Sequence, residues 1–91
     1  MMKNLEEILV NIEDGKEAIV KFSYGDSLGL ANFEMVDESI CESTNICMCT
    51  IVSIISSENK MFSVGGVLEF LIYNIVEVKD AESGKILYKR A

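Results

Sequence analysis

The segment 64–89 constrains the fold of this chain more than any other part of the sequence. After two glycines, five apolar side chains fall on even positions and three charged ones fall on odd positions, which is the period of a strand with one buried face. The apolar set is Leu68, Phe70, Ile72, Val76 and Val78, and the charged set is Glu69, Glu77 and Lys79. A DAESGK turn follows, after which Ile86 and Tyr88 resume the even pattern. The segment therefore predicts a long, bent β-hairpin.

Short length and ordinary composition predict a single domain over residues 1–91. The chain has 91 residues, of which 49% are hydrophobic and 25% charged, so a second core does not fit and disorder is not expected. A core of this size supplies only a few kcal/mol of net stability. Contact with a second subunit or a protein partner would add to it.

A short helix is predicted over residues 4–13. Asn4 has the chemistry of an N-cap, and Glu7 follows three residues later, as in a capping box. The apolar residues form one stripe at helical spacing, namely Leu5, Ile8, Leu9 and Ile12. Gly15 suits the left-handed conformation that follows a last helical turn. Because a helix this short is marginal alone, we expect its stripe to pack on the strands.

Two strands are predicted next, at residues 18–24 and 28–36, joined by a turn of glycine, aspartate and serine. In the second strand the apolar parity changes from Leu28 and Leu30 to Ala31, Phe33 and Met35. A slip of one residue turns every side chain to the other face, so the change predicts a bulge near Ala31 and Asn32. The predicted fold is mainly β (α+β by count): a short N-terminal helix followed by a five-stranded, strongly bent antiparallel barrel.

The strand predicted at residues 46–55 is apolar on both faces. Eight of its ten residues are apolar, and its β-branched content favours a strand over a helix. A strand without a polar face is covered by the core on one side and by a helix or a second subunit on the other. The acidic segment before it, residues 37–45, is predicted to form a loop.

The order of elements, together with residues 66–78, resembles the Sm-like and SH3-like small β-barrels. Residues 66–78 read GVLEFLIYNIVEV, where an Sm protein has a glycine, an apolar strand, an arginine-glycine pair and an isoleucine-rich strand. Ile72 and Tyr73 stand in the places of the arginine and glycine. The first Sm motif, with its aspartate and asparagine, would lie between Phe33 and Asn45, where the spacing does not match. The resemblance therefore implies a fold and no RNA-binding residue.

Cys41, Cys47 and Cys49 are the residues with the most suggestive chemistry. A Cys-x-Cys pair can hold Cu(I) or contribute to a zinc site. A structural zinc site usually has four nitrogen or sulfur ligands. Because this chain has three thiols and no histidine, Glu42 or a second chain would have to supply the fourth ligand. The apolar residues next to the cysteines in the sequence favour a different interpretation, in which the cysteines are small, buried hydrophobic side chains and not metal ligands. We therefore predict no metal and no cofactor.

Composition argues against several classes of function. A protein with a net charge of −7 is repelled by phosphate backbones and by anionic membranes. We therefore do not expect nucleic-acid or membrane partners. The absence of histidine removes the commonest general base, and we predict no enzyme activity. The first residues do not match a signal peptide, no apolar run matches a membrane span, and three cysteines do not suggest a disulfide framework. We therefore expect a cytoplasmic protein.

The favoured hypothesis is a non-enzymatic binding module, a small acidic β-barrel that self-associates or binds a protein partner. One alternative is an acidic inhibitor or immunity-type protein that occludes a basic site on a nucleic-acid enzyme. The second alternative is an Sm-like binder of nucleic acid or of a small ligand. The residues predicted to contact the partner are Met48, Thr50, Val52, Ile54, Tyr73, Glu34, Asp37, Glu38 and Glu42.

Overall fold

A computed structural model describes residues 5–36 and 46–90 of the chain. Its elements are α1 (Leu5–Val10), β1 (Ala18–Phe22), β2 (Ser27–Met35), β3 (Ile46–Ser56), β4 (Val67–Leu71), a 3-10 helix (Ile72–Asn74), β5 (Ile75–Asp80) and β6 (Ile86–Lys89). The strands form one antiparallel sheet in the order β4-β3-β2-β1-β5-β6. The fold is therefore mainly β, as predicted. Neither described range contains a helix that is long and apolar enough to cross a membrane.

The five-stranded barrel is not confirmed, because the long strand predicted after the glycine pair is interrupted. The 3-10 helix separates β4, which pairs with β3, from β5, which pairs with β1. Ile72 and Ile75 are both buried, and a spacing of three fits one 3-10 turn rather than a strand. The sheet therefore has six strands, and among the described residues no pairing joins its end strands β4 and β6 into a closed barrel.

The second half of the predicted hairpin is present in the structure as the strands β5 and β6. β5 and β6 pair antiparallel, with Glu77 opposite Lys89 and Val78 opposite Tyr88. Their turn is held by Asp80, whose carboxylate accepts hydrogen bonds from the hydroxyl and the backbone N–H of Ser83. The Ser83 hydroxyl is the main reason that the pKa of Asp80 lies below its ordinary value.

The core lies on the inner face of the sheet, and α1 covers part of it. The largest fully buried side chains are Phe22, Leu9, Leu28, Leu30, Ile75, Val20, Val78 and Cys47. Leu5 and Ile12 pack against the same cluster, so three of the four residues in the predicted stripe contact the core. The helix is shorter than predicted because its last turn tightens: the Ile12 N–H bonds the Leu9 carbonyl, three residues back.

The bulge predicted in β2 is confirmed at Asn32. The register between β2 and β3 shifts between Ala31 and Glu34, and Asn32 has a φ of 58°. Left-handed backbone is rare for residues other than glycine, although asparagine tolerates it better than most. The bulge brings Phe33 into the same core as Leu28 and Leu30, whereas Ala31, which pairs with Thr50, lies on the outer side.

The side chain of Asn32 also connects three parts of the chain. The Gly15 N–H, in the turn after α1, donates to Asn32 Oδ1 at 2.8 Å. Asn32 Nδ2 donates to Thr50 Oγ1 on β3 at 3.4 Å. The bulge thus fixes the position of the turn after the helix as well as the register of the sheet.

Two substitutions of Asn32 separate the contribution of its positive φ from that of its side-chain hydrogen bonds. Asn32→Ala removes both hydrogen bonds and disfavours positive φ, so the free energy of unfolding should fall by about 2 kcal/mol. Asn32→Gly removes the same bonds but adopts positive φ freely, so the loss should be only about 1 kcal/mol. Urea unfolding of the two variants measures the difference. Equal losses would show that the backbone conformation at this position contributes nothing.

A side-chain hydrogen bond that crosses β2 leaves no room for a side chain at Gly29. Ser53 Oγ on β3 donates to Glu17 Oε2, just before β1, at 2.8 Å. In the register, Gly29 lies between Ile19 of β1 and Ser53 of β3, and a Cβ atom there would overlap both the carboxylate and the hydroxyl. The missing side chain therefore makes room for a hydrogen bond that joins β3 to the start of β1.

Gly29→Ala should break this hydrogen bond and lower the free energy of unfolding by about 1 kcal/mol. The matched background carries Glu17→Ala and Ser53→Ala, where the new methyl group meets neither oxygen and should cost nothing. Chemical denaturation of the four chains gives the coupling between the sites. The same cost in both backgrounds would mean that strain in β2, and not the lost bond, is responsible.

Candidate functional site

The residues of β3 divide between an inner and an outer side of the sheet. Cys47, Cys49 and Ile51 are buried on the inner side. Met48 and Thr50 lie between them in sequence and are only partly buried. The helix α1 packs mainly on β2 and β6 and joins the core through Leu9.

Val52 and Ile54 do not continue the row formed by Met48 and Thr50. Ser53 pairs with Gly29 and Ile51 with Leu30, so Val52 is an extra residue in β3. The extra residue exchanges the sides of the sheet to which the following side chains point. Ile54 therefore lies opposite Leu28, whose side chain belongs to the core. Both Val52 and Ile54 are exposed. The structure thus brings only two of the four predicted β3 residues onto one face.

β4 completes the outer face with residues that the sequence analysis missed. Directly opposite residues of an antiparallel pair lie on the same side of the sheet. The pairs on the outer side are Ile46 with Leu71, Met48 with Glu69, and Thr50 with Val67, and these six residues form the outer β3–β4 face. Val67 is 68% exposed and Leu71 39%. The signal was present, because both are apolar residues at odd positions of the segment 64–89.

The outer β3–β4 face has acidic residues beside its apolar ones. Met48 lies between Glu34 of β2 and Glu69 of β4 in the register, and both glutamates are exposed. The salt bridges of the described residues, Lys16 with Glu82 and Lys21 with Glu77, involve neither of them. This part of the surface is therefore apolar with uncompensated negative charge.

Tyr73 lies just beyond the outer β3–β4 face, on the 3-10 helix that follows Leu71. It is 59% exposed, and the guanidinium of Arg90 donates a hydrogen bond to its backbone carbonyl. The remaining predicted residues, Asp37, Glu38, Glu42 and Cys41, lie outside the described residues. Of the predicted acidic set, the structure therefore places only Glu34.

Cys47 and Cys49 are core residues whose thiols are held in the protonated form. Burial raises the pKa of Cys47 to about 11, although a backbone hydrogen bond at Glu34 partly offsets it. Burial, with the neighbouring Cys47, raises the pKa of Cys49 to about 12. Since the thiolate is the nucleophile and the metal ligand, these thiols are poorly suited to either role at neutral pH. The described residues include no cluster of three potential metal ligands.

A cavity of about 510 Å³ lies at the other end of the sheet, between α1 and β6. Its apolar wall includes Ile8, Ile12, Ile86 and Leu87, and its charged rim includes Glu13, Lys16, Glu17, Asp80 and Lys85. The rim carries both signs of charge, so it does not select a ligand by charge. No sequence signal pointed to this cavity, because it joins segments that are about 70 residues apart.

The buried thiols predict a loss of stability in alkaline solution. The ordinary thiol pKa is 9.0, so from pH 9 up to about 11 for Cys47 and about 12 for Cys49 the folded state holds protons that the unfolded state has released. The contribution of these two thiols to the free energy of unfolding is therefore fully present below pH 9, and it is lost as the pH rises through this window. In a Cys41→Ser background, urea unfolding should show a shallower alkaline decline for Cys49→Ala than for the parent. Identical slopes would contradict burial of this thiol.

Comparisons of the chain with protein-family models, with curated proteins and with solved structures returned no match.

Proposed function

We propose that the protein is a non-enzymatic binding module that holds a protein, either a second copy or a different chain, on its outer β3–β4 face. The observation that carries this proposal is the exposure of Val67 and Leu71 beside Met48 and Thr50. A strand that buries one side and leaves apolar residues open on the other has a surface that a partner can desolvate. The small core makes added burial valuable to the fold.

The chemistry of the described residues supports a binding role over catalysis. The sequence has no histidine, and Cys47 and Cys49 are buried and protonated at neutral pH. The exposed carboxylates Glu34 and Glu69 lie on β2 and β4, separated by β3. Neighbouring strands are about 4.8 Å apart, so two strand spacings of about 10 Å separate their backbones. Nothing in this arrangement supplies an activated nucleophile or a positioned base.

The Sm-like and SH3-like resemblance remains part of the proposal as a matter of architecture. A short helix and bulged antiparallel strands in one sheet support it. At the positions of the expected arginine-glycine pair, Ile72 is buried and Tyr73 exposed. The resemblance therefore adds no RNA-binding residue, and it favours a protein partner over a nucleic acid.

Site-specific photo-crosslinking in the cells that produce the protein tests the proposed face. A photoreactive amino acid at Val67, on the outer β3–β4 face, should give a discrete adduct, because a bound partner lies against this side chain. The matched control is the same amino acid at Glu58, which is exposed in the turn after β3. Light scattering over a wide concentration range then shows whether the partner is a second copy. No adduct at Val67 and a monomer at every concentration would refute the proposal.

A further inference from the structure

The strand β4 has one unpaired backbone edge among the described residues. The Ile51 N–H donates to the Gly66 carbonyl, and hydrogen-bonded and non-hydrogen-bonded pairs alternate along an antiparallel ladder. Leu68 and Phe70 therefore turn their backbone groups toward β3. Val67 and Glu69 turn both N–H and C=O away from it, and Leu71 turns its N–H away. No backbone hydrogen bond to another described segment reaches these groups.

The same three residues expose their side chains on the outer side of the sheet. Val67, Glu69 and Leu71 are all exposed, in the order apolar, acidic, apolar. A strand added to this edge would place its own residues opposite them, with side chains in contact across the pair. The matching pattern is a basic residue opposite Glu69 with an apolar residue two positions away on each side. An exposed edge of this kind is how many proteins capture an extended peptide.

We propose that β4 captures an extended segment of a different, basic protein by adding it as a seventh strand. The inference rests on the proposed function and specifies its partner: a strand with lysine or arginine at its centre, flanked by apolar residues. Charge selects this occupant. The nearby glutamates Glu34 and Glu69 lack a salt bridge among the described residues, and the whole chain has a net charge of −7.

A second copy fits the same edge less well. Antiparallel pairing of two β4 strands, in the register that uses all three outward residues, is centred on Glu69. That register places Glu69 of one copy opposite Glu69 of the other, and like charges directly opposite are destabilising. Two chains of charge −7 also repel each other as they approach.

Peptide titrations followed by the amide NMR signals of the folded protein test this assignment. The probes are three capped peptides that differ at one feature: TVTKTVT, TVTETVT, and TVTKTVT with an N-methyl group on the central lysine. The first should shift the signals of Val67, Glu69 and Leu71, and bind at least about threefold tighter than the glutamate peptide, with the ratio falling as salt rises. The N-methylated peptide should lose binding, because it lacks the central backbone donor.

Charge reversal in the protein supplies the matched control. Glu69→Lys should invert the preference, so that TVTETVT binds tighter than TVTKTVT. Glu58→Lys makes the same change of charge in the exposed turn after β3 and should leave the preference unchanged. Both substitutions are at exposed positions, and unchanged amide spectra in the rest of the sheet verify that each variant is folded.

The outcomes separate this inference from the proposed function. Shifts at β4 with inversion by Glu69→Lys support both. If no peptide binds while Val67 still crosslinks to a partner, the edge-pairing inference fails and the binding module stands. If the β4 signals instead shift with protein concentration alone, the occupant is a second copy and the basic partner is wrong. If no peptide binds and Val67 captures nothing, both proposals fail.

Discussion

The bulge at Asn32 is the constraint on which the rest of the sheet depends. β2 has to turn Leu28 and Leu30 into the core before this point and Phe33 into it afterwards, which no regular strand can do. One left-handed residue resolves the conflict, and asparagine holds that conformation while its side chain bonds Gly15 and Thr50. Because Gly15 follows α1, the same residue that sets the register also fixes how the helix reaches the core.

Bulges also determine which apolar residues remain available for binding. β3 keeps Cys47, Cys49 and Ile51 in the core, and the extra residue Val52 then reverses its parity. The outer β3–β4 face therefore ends near Thr50 and is continued by β4 instead of by the rest of β3. Its apolar residues come from two strands far apart in sequence, so the face is defined by pairing and not by any single segment.

Local signals in the sequence predicted much of the fold. The helix stripe, the first turn, the bulge at Ala31 and Asn32, and the β5–β6 hairpin each depend on residues a few positions apart. The 3-10 helix was missed because Ile72 kept the even parity of the strand before it, although Ile75 ended that pattern. The half of the candidate site on β4 was missed for a different reason: the pairing of β4 with β3 is a tertiary contact that no local pattern contains.

The distribution of charge explains why net charge alone is a poor guide to the partner. On the outer side of the sheet, Lys21, Lys79 and Lys89 lie on β1, β5 and β6, with Glu77 among them. Glu34 and Glu69 lie on β2 and β4, on either side of β3. On the outer side of the described sheet, the repulsion inferred from a charge of −7 therefore applies more strongly at the β4 edge than on β5 and β6, because local charges dominate within a Debye length of about 8–10 Å. In the proposed capture, a basic segment would approach the β4 edge, where the described residues combine unpaired backbone groups with the acidic side chain of Glu69.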